Sequence, residues 1–548
     1  MSAPAPNRID RLLVGLAVFS LVLAWIHLAA IGSTDPWYRN LDMNMQNTAD
    51  ALAINTDLPP NLIDQPGAPM TFLLALDFRV RHYAGQLPVW NLKKFGYSRD
   101  PLRELPPLIR IGRVHARILT LAFILAAAWL VVSVTRSWNA GSLAIILLCG
   151  GTALMFHGLL TRPELLCVGF GNILALGCSW RAVEARRWPG KYGWLFLAGL
   201  LGGLSAETKL PGVCYLALCY GWCWLGALTA KPAAPDAAPV AVPDPGFWRG
   251  LLPAAGAASA LGLLFHLTSH HDALGPVAIL RLRMAAVFFA VLPLLVLWRG
   301  GHRFWRFLLA RAGELALLGG GALASLALIY LFMRCMLTEP QASDYLARLL
   351  NYMFDPAPAM RTLLDNPMPG KVLVQYFQQN PFLFVSAPLL AWGVFQVRSV
   401  PVRLKAFIAL LLAGALAMSV VMSRRHFTIH YNIFPQVPLL LVWSFSLWAL
   451  ADWQRTRQPA SVGARWGLPL AAGLAFVLVL TAYPRLEFEY QCYQDDATLP
   501  PGGLALTFLF DHDTHTAKYL QIMRQHYGDR EQFARTLEHY LADPANRY

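Results

Sequence analysis

A stretch rich in aspartate follows the first apolar segment of the chain. It begins Thr34-Asp-Pro-Trp-Tyr-Arg-Asn-Leu-Asp42 and ends Asp64-Gln-Pro-Gly-Ala-Pro-Met-Thr-Phe-Leu-Leu74. The segment before it, residues 11–31, is long and apolar enough to cross a bilayer, and most of the chain after it is also apolar. We therefore expect the stretch to lie at a membrane surface, where its carboxylates could act on a molecule that arrives through the lipid.

The composition places the whole chain in the membrane class. Hydrophobic residues make up 56% of the 548 residues and charged residues only 14%, with a mean hydropathy of +0.44. Such a profile excludes an ordinary soluble globular protein. The formal net charge of +14 comes from Lys and Arg residues spread over many short loops, which indicates membrane topology rather than nucleic-acid binding.

Apolar blocks separated by charged loops predict an all-α polytopic membrane protein with about thirteen transmembrane helices. Arg8 and Arg11 precede the first block without a cleavage site, which predicts a retained anchor and a cytoplasmic N-terminus. The long loop at 32–113 then lies outside and is expected to carry helices along the membrane interface. One of the predicted spans covers residues 140–160.

The predicted organisation has four parts. Residues 1–229 form an N-terminal transmembrane module, and residues 230–246 form an Ala/Pro-rich cytoplasmic linker. Residues 247–484 form a C-terminal transmembrane module with a second outer loop at 338–380. A small outer tail, partly helical, covers 485–548.

Six of the eight cysteines lie inside apolar runs without metal-ligand spacing, so we interpret them as core residues. Cys335 and Cys492 both fall on the predicted outer side. A disulfide between them is left open, because pairing cannot be deduced from sequence.

Two acidic positions are candidates for chemistry. Asp42 opens a segment that can be read as a helix, so it is either an N-terminal capping acid or a base that takes a proton from an acceptor. Arg162-Pro163-Glu164 lies at the outer end of a predicted span. Glu164 is either paired within that motif or a second acid that faces Asp42 across a cavity.

Basic positions form the other candidates. Lys209 ends Glu207-Thr208-Lys209 at the predicted outer tip of a hairpin, and it is either solvated or a contact for a lipid phosphate. Arg425, His426 and His430 lie outside, where the positive-inside rule disfavours them, so a phosphate is the simplest partner. His426 and His430 are spaced for a metal, but no third ligand is evident.

The order of these features resembles that of the GT-C membrane glycosyltransferases, especially the bacterial relatives of protein mannosyltransferases and aminoarabinose transferases. The matching features are an outer Asp at a helix start, Pro-Gly-x-Pro, Arg-Pro-Glu, Thr-Lys, and a late Arg/His pair before a proline-containing span. The resemblance covers residues 12–228 and, more faintly, 422–441. It implies a GT-C-like fold in a bacterial inner (cytoplasmic) membrane, with the C-terminal tail in the periplasm.

The resemblance also implies an activity and a set of site residues. The donor would be a polyprenyl-phosphate-linked sugar, and a hexosyl or pentosyl group would pass to a lipid or an envelope glycan or protein on the periplasmic side. Asp42 matches the catalytic acid of the first loop, to act as general base, and Glu164 matches the acid of the second outer loop. The donor phosphate would be bound by Arg162, Lys209, Arg425, His426 and His430.

No cofactor is indicated with certainty. A divalent cation is left open, although Met43 stands where many relatives carry a glutamate, which argues against metal use. The second hypothesis is a transporter or flippase of lipid-linked or anionic substrates, which could also use outer cations. A third is a non-catalytic scaffold for envelope assembly.

Overall fold

The computed structural model describes most of the chain. The described residues are 8–34, 36–38, 41–61, 67–185, 188–229, 275–281, 284, 303–355, 368–424, 429–457, 462–494, 506–511 and 516–546. The predicted linker at 230–246 lies outside these residues, as do residues 247–274 of the predicted C-terminal transmembrane module.

All regular elements in the described residues are helices. In the first part of the chain they are α1 (Arg8–Thr34), α2 (Leu41–Ile54), α3 (Ala68–Tyr83), α4 (Leu92–Gly96), α5 (Pro101–Thr135), α6 (Trp138–Cys149), α7 (Thr152–Phe156), α8 (Pro163–Val168), α9 (Leu176–Glu184), α10 (Trp188–Thr208) and α11 (Gly212–Leu228). A π-helical segment, Gly169–Ala175, joins α8 to α9.

The remaining described helices include those of the predicted second outer loop and of the tail. They are α12 (Arg303–Met336), α13 (Glu339–Phe354), α14 (Pro369–Gln379), α15 (Pro381–Gln396), α16 (Val402–Ser423), α17 (Ile433–Arg457), α18 (Val462–Gln494), α19 (Ala517–Tyr527) and α20 (Arg530–Ala542). A short 3-10 helix, Ile429–Asn432, precedes α17.

The chain is a multi-pass membrane protein. Within the described ranges, seven helices are long and apolar enough to cross a membrane, and three more apolar helices are shorter. Large apolar side chains stand exposed on α1, including Phe19 and Ile26, and on α18, including Leu470 and Leu474. Such surfaces suit lipid rather than water. The all-helical expectation is therefore confirmed, while the number of about thirteen spans stays a prediction.

The structure divides the predicted span at 140–160 into two helices. Gly150 and Gly151 separate α6 from α7, and the freed backbone N–H of Ala153 donates to Oε1 of Gln436 at 2.9 Å. Two consecutive glycines weaken a helix, and a side-chain acceptor from α17 then satisfies the backbone group that the break exposes. The chain can therefore turn early and run through an irregular segment to Pro163.

The packed residues form two apolar cores. The larger core fills the transmembrane bundle and includes Leu28, Phe123, Trp222, Phe407 and Phe445. The smaller core lies at one end of the bundle, which we call the loop end. It joins α2, α3, α4, the first turns of α5, the last turns of α12, α13 and the tail.

The predicted outer tail packs on the first long loop. Tyr527 on α19 donates to Oδ1 of Asp100 at 2.7 Å and accepts from the backbone N–H of Leu102 at 2.9 Å. Burial and the hydrogen bond to Asp100 raise the pKa of the Tyr527 hydroxyl, which stays protonated and able to donate. Trp37, just before α2, donates to the backbone carbonyl of Asn546 at 2.8 Å. The tail thus covers the loop that carries Asp42.

The Tyr527 contacts predict a measurable effect on tail docking. Tyr527→Phe removes both hydrogen bonds and leaves Asp100 without its hydroxyl donor, so docking should weaken by about 1–3 kcal/mol. We expect faster amide hydrogen exchange over residues 517–542. Tyr97→Phe is the matched control, since Tyr97 is exposed. Equal exchange in wild type and Tyr527→Phe would contradict the assignment.

Candidate functional site

A buried cluster of charged side chains lies at the loop end of the bundle. The Lys209 ammonium donates to Oε1 of Glu164, and Arg162 Nε lies 3.5 Å from Oε2 of the same carboxylate. Arg162 Nη2 also lies 2.9 Å from His430 Nε2. None of the four residues is more than 3% exposed. The structure therefore brings together four of the residues that the sequence proposed, and it excludes a solvated Lys209.

The charges of this cluster do not cancel among these four side chains. A guanidinium can only donate, so the Nε2 atom of His430 that meets Arg162 accepts a hydrogen bond. His430 is then a neutral imidazole that could donate only from Nδ1. One carboxylate and two cations leave one positive charge in excess, which a further carboxylate or a phosphate can balance.

Local structure explains how Glu164 and Lys209 meet. Arg162 is the extended N-cap residue of α8 and Pro163 its first helical residue, which places Glu164 in the first turn. Ser205 on α10 donates to the backbone carbonyl of Cys167 at 2.6 Å. This bond joins α8 to the last turn of α10, where the chain reaches Lys209.

A pair of amides ties the helix that carries Asp42 to the same place. Asn44 Oδ1 accepts from the backbone N–H of Thr161 at 2.7 Å, and Asn47 Nδ2 donates to the Thr161 carbonyl at 2.9 Å. Thr161 directly precedes Arg162 in the chain. The backbone of Asp42 lies two residues before Asn44 on α2, and its side chain is outside the described part of the structure.

The Pro-Gly-x-Pro segment is anchored to the same hairpin. Gly67 has φ 45°, in the left-handed region that favours glycine, and its N–H donates to the carbonyl of Thr208 at 3.1 Å. Ala68 and Pro69 then start α3. The glycine allows the chain to turn into α3 while it contacts the residue next to Lys209.

Aromatic packing completes one side of the cluster. The Lys209 ammonium lies 4.6 Å from the centroid of the Tyr431 ring, a cation–π geometry. Neither Tyr431 nor the Asn44–Asn47 pair was singled out by the sequence. The pair has a sequence signal, since amides three apart share one face of a helix, but their partner Thr161 lies far away in the chain.

Other predicted positions are not tested by these contacts. Arg425 and His426 lie outside the described residues. Cys335 is exposed, while the side chain of Cys492 is not described, so the question whether the two cysteines pair stays open. Within the described part of the chain, no group of three or more His, Cys, Asp or Glu side chains could hold a metal ion.

Two comparisons of the sequence with known proteins found no match. The sequence matches no family model. It also matches no curated protein.

Among solved structures, the chain is similar to the archaeal oligosaccharyltransferase AglB from Archaeoglobus fulgidus in complex with an inhibitory peptide and a dolichol-phosphate. The TM-score is 0.50 at 14% identity, over 95% of this chain and 59% of that chain. The apo form of the oligosaccharyltransferase from the same organism gives 0.49 at 15% identity, over 94% of this chain and 60% of that chain.

The chain thus spans about 59% of the length of AglB, and at this identity the likeness establishes the fold alone. AglB is a GT-C membrane glycosyltransferase. This chain shares its fold with AglB, as the GT-C resemblance of its sequence predicted.

Proposed function

We propose that the protein is a membrane glycosyltransferase that moves a sugar from a polyprenyl-phosphate donor to a periplasmic or lipid-linked envelope acceptor. The observation that carries the proposal is the buried cluster of Glu164, Lys209, Arg162 and His430, held against the helix of Asp42 in a GT-C fold. The AglB structure contains a dolichol-phosphate, which is a lipid-linked phosphate of the proposed donor class.

In the proposed reaction the acceptor oxygen attacks the anomeric carbon of the sugar. The bond from that carbon to the phosphate oxygen breaks, and the lipid phosphate leaves with the electron pair. The acceptor proton passes to the Asp42 carboxylate, which acts as general base. Asp42 suits this role because α2 is bonded through Asn44 and Asn47 to the residue that precedes Arg162.

Stabilising the leaving phosphate is the proposed task of the cations. Arg162 and Lys209 already lie in a water-poor site, where a charge-assisted contact to an oxyanion is worth more than in water. Glu164 holds both cations in place and is proposed to assist Asp42 through them. Arg425 and His426, together with His430, are the further proposed contacts to the donor phosphate.

A transporter or flippase is the second candidate. The break between α6 and α7 favours it, because discontinuous helices often form substrate sites in transporters. The long first loop, which packs under the tail and carries Asp42, favours the enzyme. Both candidates share the proposed setting, a bacterial inner membrane with a cytoplasmic N-terminus and a periplasmic tail.

The role of Asp42 predicts a large loss of transfer in Asp42→Asn. The amide cannot take the acceptor proton, so label transfer from a radiolabelled polyprenyl-phosphate sugar to membrane extract should fall by about 100-fold or more. Donor binding should persist. Asp344→Asn, an exposed aspartate on α13, is the control with unchanged transfer.

Equal transfer by wild type and Asp42→Asn would contradict the general-base assignment. If the purified wild-type protein transfers no sugar from any donor, but moves labelled lipid-linked sugar across liposomes, the transporter candidate replaces the enzyme.

The buried ion pair predicts strong coupling between two substitutions. Glu164→Gln should lower the free energy of unfolding by about 3–5 kcal/mol, because it removes the negative charge that faces two buried cations. Lys209→Met should have a smaller effect, because Arg162 still lies beside the Glu164 carboxylate. The loss of unfolding free energy in the double variant should be smaller than the sum of the two single losses by at least about 1 kcal/mol. Chemical unfolding in detergent measures the free energy of unfolding of the wild type, the two single variants and the double variant.

The surface pair Arg136 and Glu184 provides the matched control cycle, since Arg136 is largely exposed and their coupling should stay below about 1 kcal/mol. Additive effects at Glu164 and Lys209 would show that the pair is not the organising contact of the site.

A further inference from the structure

A second polar site lies at the loop end, at the opposite end of α2 from Asp42. A cleft of about 510 Å³ opens between the ends of α2 and α12 and the neighbouring segments of α3 and α4. Six of the residues that line it are Asn55, Asp57, Arg79, Lys93, Arg334 and Thr338. Since α2 rises about 1.5 Å per residue, Asn55 lies roughly 20 Å from Asp42 along the helix. The cleft is therefore distinct from the buried Glu164 cluster.

Three cations converge on this cleft without a carboxylate partner. Within the described ranges, no acidic side chain lies within ion-pair distance of Arg79, Lys93 or Arg334. Lys93 and Arg334 are exposed. Like charges that share one cleft repel each other, so an anion between them would be favourable.

One acid, Asp57, also lines the cleft and is hydrogen-bonded to the cleft wall, so three cations and one carboxylate leave a positive excess there. Asp57 accepts from the backbone N–H of Thr338 at 2.6 Å and from its hydroxyl at 3.0 Å. Asp57 has φ 62°, and its N–H and that of Leu58 bond back to Ile54 and Ala53, which closes α2 with a left-handed cap. This contact joins the end of α2 to the N-cap residue of α13 and forms one wall of the cleft.

A buried amide holds one of the cations in place. Asn55 donates to the carbonyls of Ala75 at 2.8 Å and Trp90 at 3.1 Å, and its Oδ1 accepts from Arg79 Nε at 3.1 Å. Arg79 also lies 5.7 Å from the centroid of the Trp90 ring. Its guanidinium is thus fixed by two contacts, which lowers the entropic cost of binding a ligand.

We propose that this cleft binds a sugar phosphate, with the phosphate held by Arg79, Lys93 and Arg334. Its volume suits a small polar ligand. Guanidinium and ammonium groups are the side chains that bind phosphate oxygens, and Asn91 and Thr338 can bond sugar hydroxyls. The phosphate can come from a soluble sugar phosphate or from a lipid headgroup. The site goes beyond the transferase proposal, and its test needs no sugar transfer.

Cys335 provides a reporter inside the cleft. It lines the cleft and is exposed, whereas the other cysteines whose side chains are described are buried or half-buried. In a Cys492→Ser background, Cys335 would be labelled with a negative and a positive methanethiosulfonate reagent, with the labelled peptide identified by mass spectrometry. The three cations should make the negative reagent react roughly three- to tenfold faster. Glucose 1-phosphate should slow that reaction, and glucose should not.

Two neighbouring lysines give matched variants. Lys93→Gln should reduce both the reagent preference and the protection by glucose 1-phosphate by roughly threefold, and Lys93→Gln with Arg334→Gln should reduce them further, to what Arg79 alone supplies. Lys94→Gln removes the same charge from the same helix, but Lys94 does not line the cleft, so it should behave as wild type. Equal rates for the two reagents in wild type, or no protection by any phosphate, would overturn the proposal.

The lipid composition of the nanodisc distinguishes the two possible sources of the phosphate. Protection by glucose 1-phosphate in phosphatidylcholine nanodiscs supports a soluble sugar phosphate. Protection that requires phosphatidylglycerol in the nanodisc, with no effect of glucose 1-phosphate, supports a lipid headgroup. A reagent preference in the double variant that equals the wild-type preference would place the attraction outside Lys93 and Arg334 and contradict the site.

Discussion

The ion pair between Glu164 and Lys209 constrains much of the architecture at the loop end. Both side chains are almost completely buried, and an unpaired charge there would strongly destabilise the folded state. The start of α8 must therefore meet the end of α10, and the Ser205 bond to the Cys167 carbonyl holds them together. Arg162, on the same segment as Glu164, lies beside that carboxylate, and His430 reaches Arg162 from the 3-10 helix before α17. The cost of burial thus selects one arrangement of three chain segments.

Helix α2 connects this cluster to the rest of the loop end. Its first turns are bonded to Thr161, and its C-terminal cap is bonded to Thr338 before α13. One short helix therefore has a proposed catalytic residue at one end and a cationic cleft at the other. The tail covers the same region through Tyr527 and Trp37. A displacement of α2 would change both sites together.

Several features could be predicted from local sequence. The apolar blocks predicted the helices, and the order of the acidic and basic motifs predicted a GT-C-like fold, which the structure shares with AglB. Glu164, Lys209, Arg162 and His430 were proposed for one site, and they do meet. The break at Gly150 and Gly151 was missed, because the apolar composition of residues 140–160 is continuous. The acceptor that satisfies the exposed backbone N–H comes from Gln436, far away in the chain.

What the sequence alone determined is the membrane class, the apolar blocks that form helices and the chemical types of the candidate residues, since these depend on local composition and spacing. Only the tertiary structure decided that Lys209 is buried against Glu164 rather than solvated, that His430 accepts from Arg162, and that Asn44 and Asn47 hold Thr161. The same holds for the convergence of Arg79, Lys93 and Arg334. These contacts join residues far apart in the chain, and the burial and pairing of a charge depend on what packs around it.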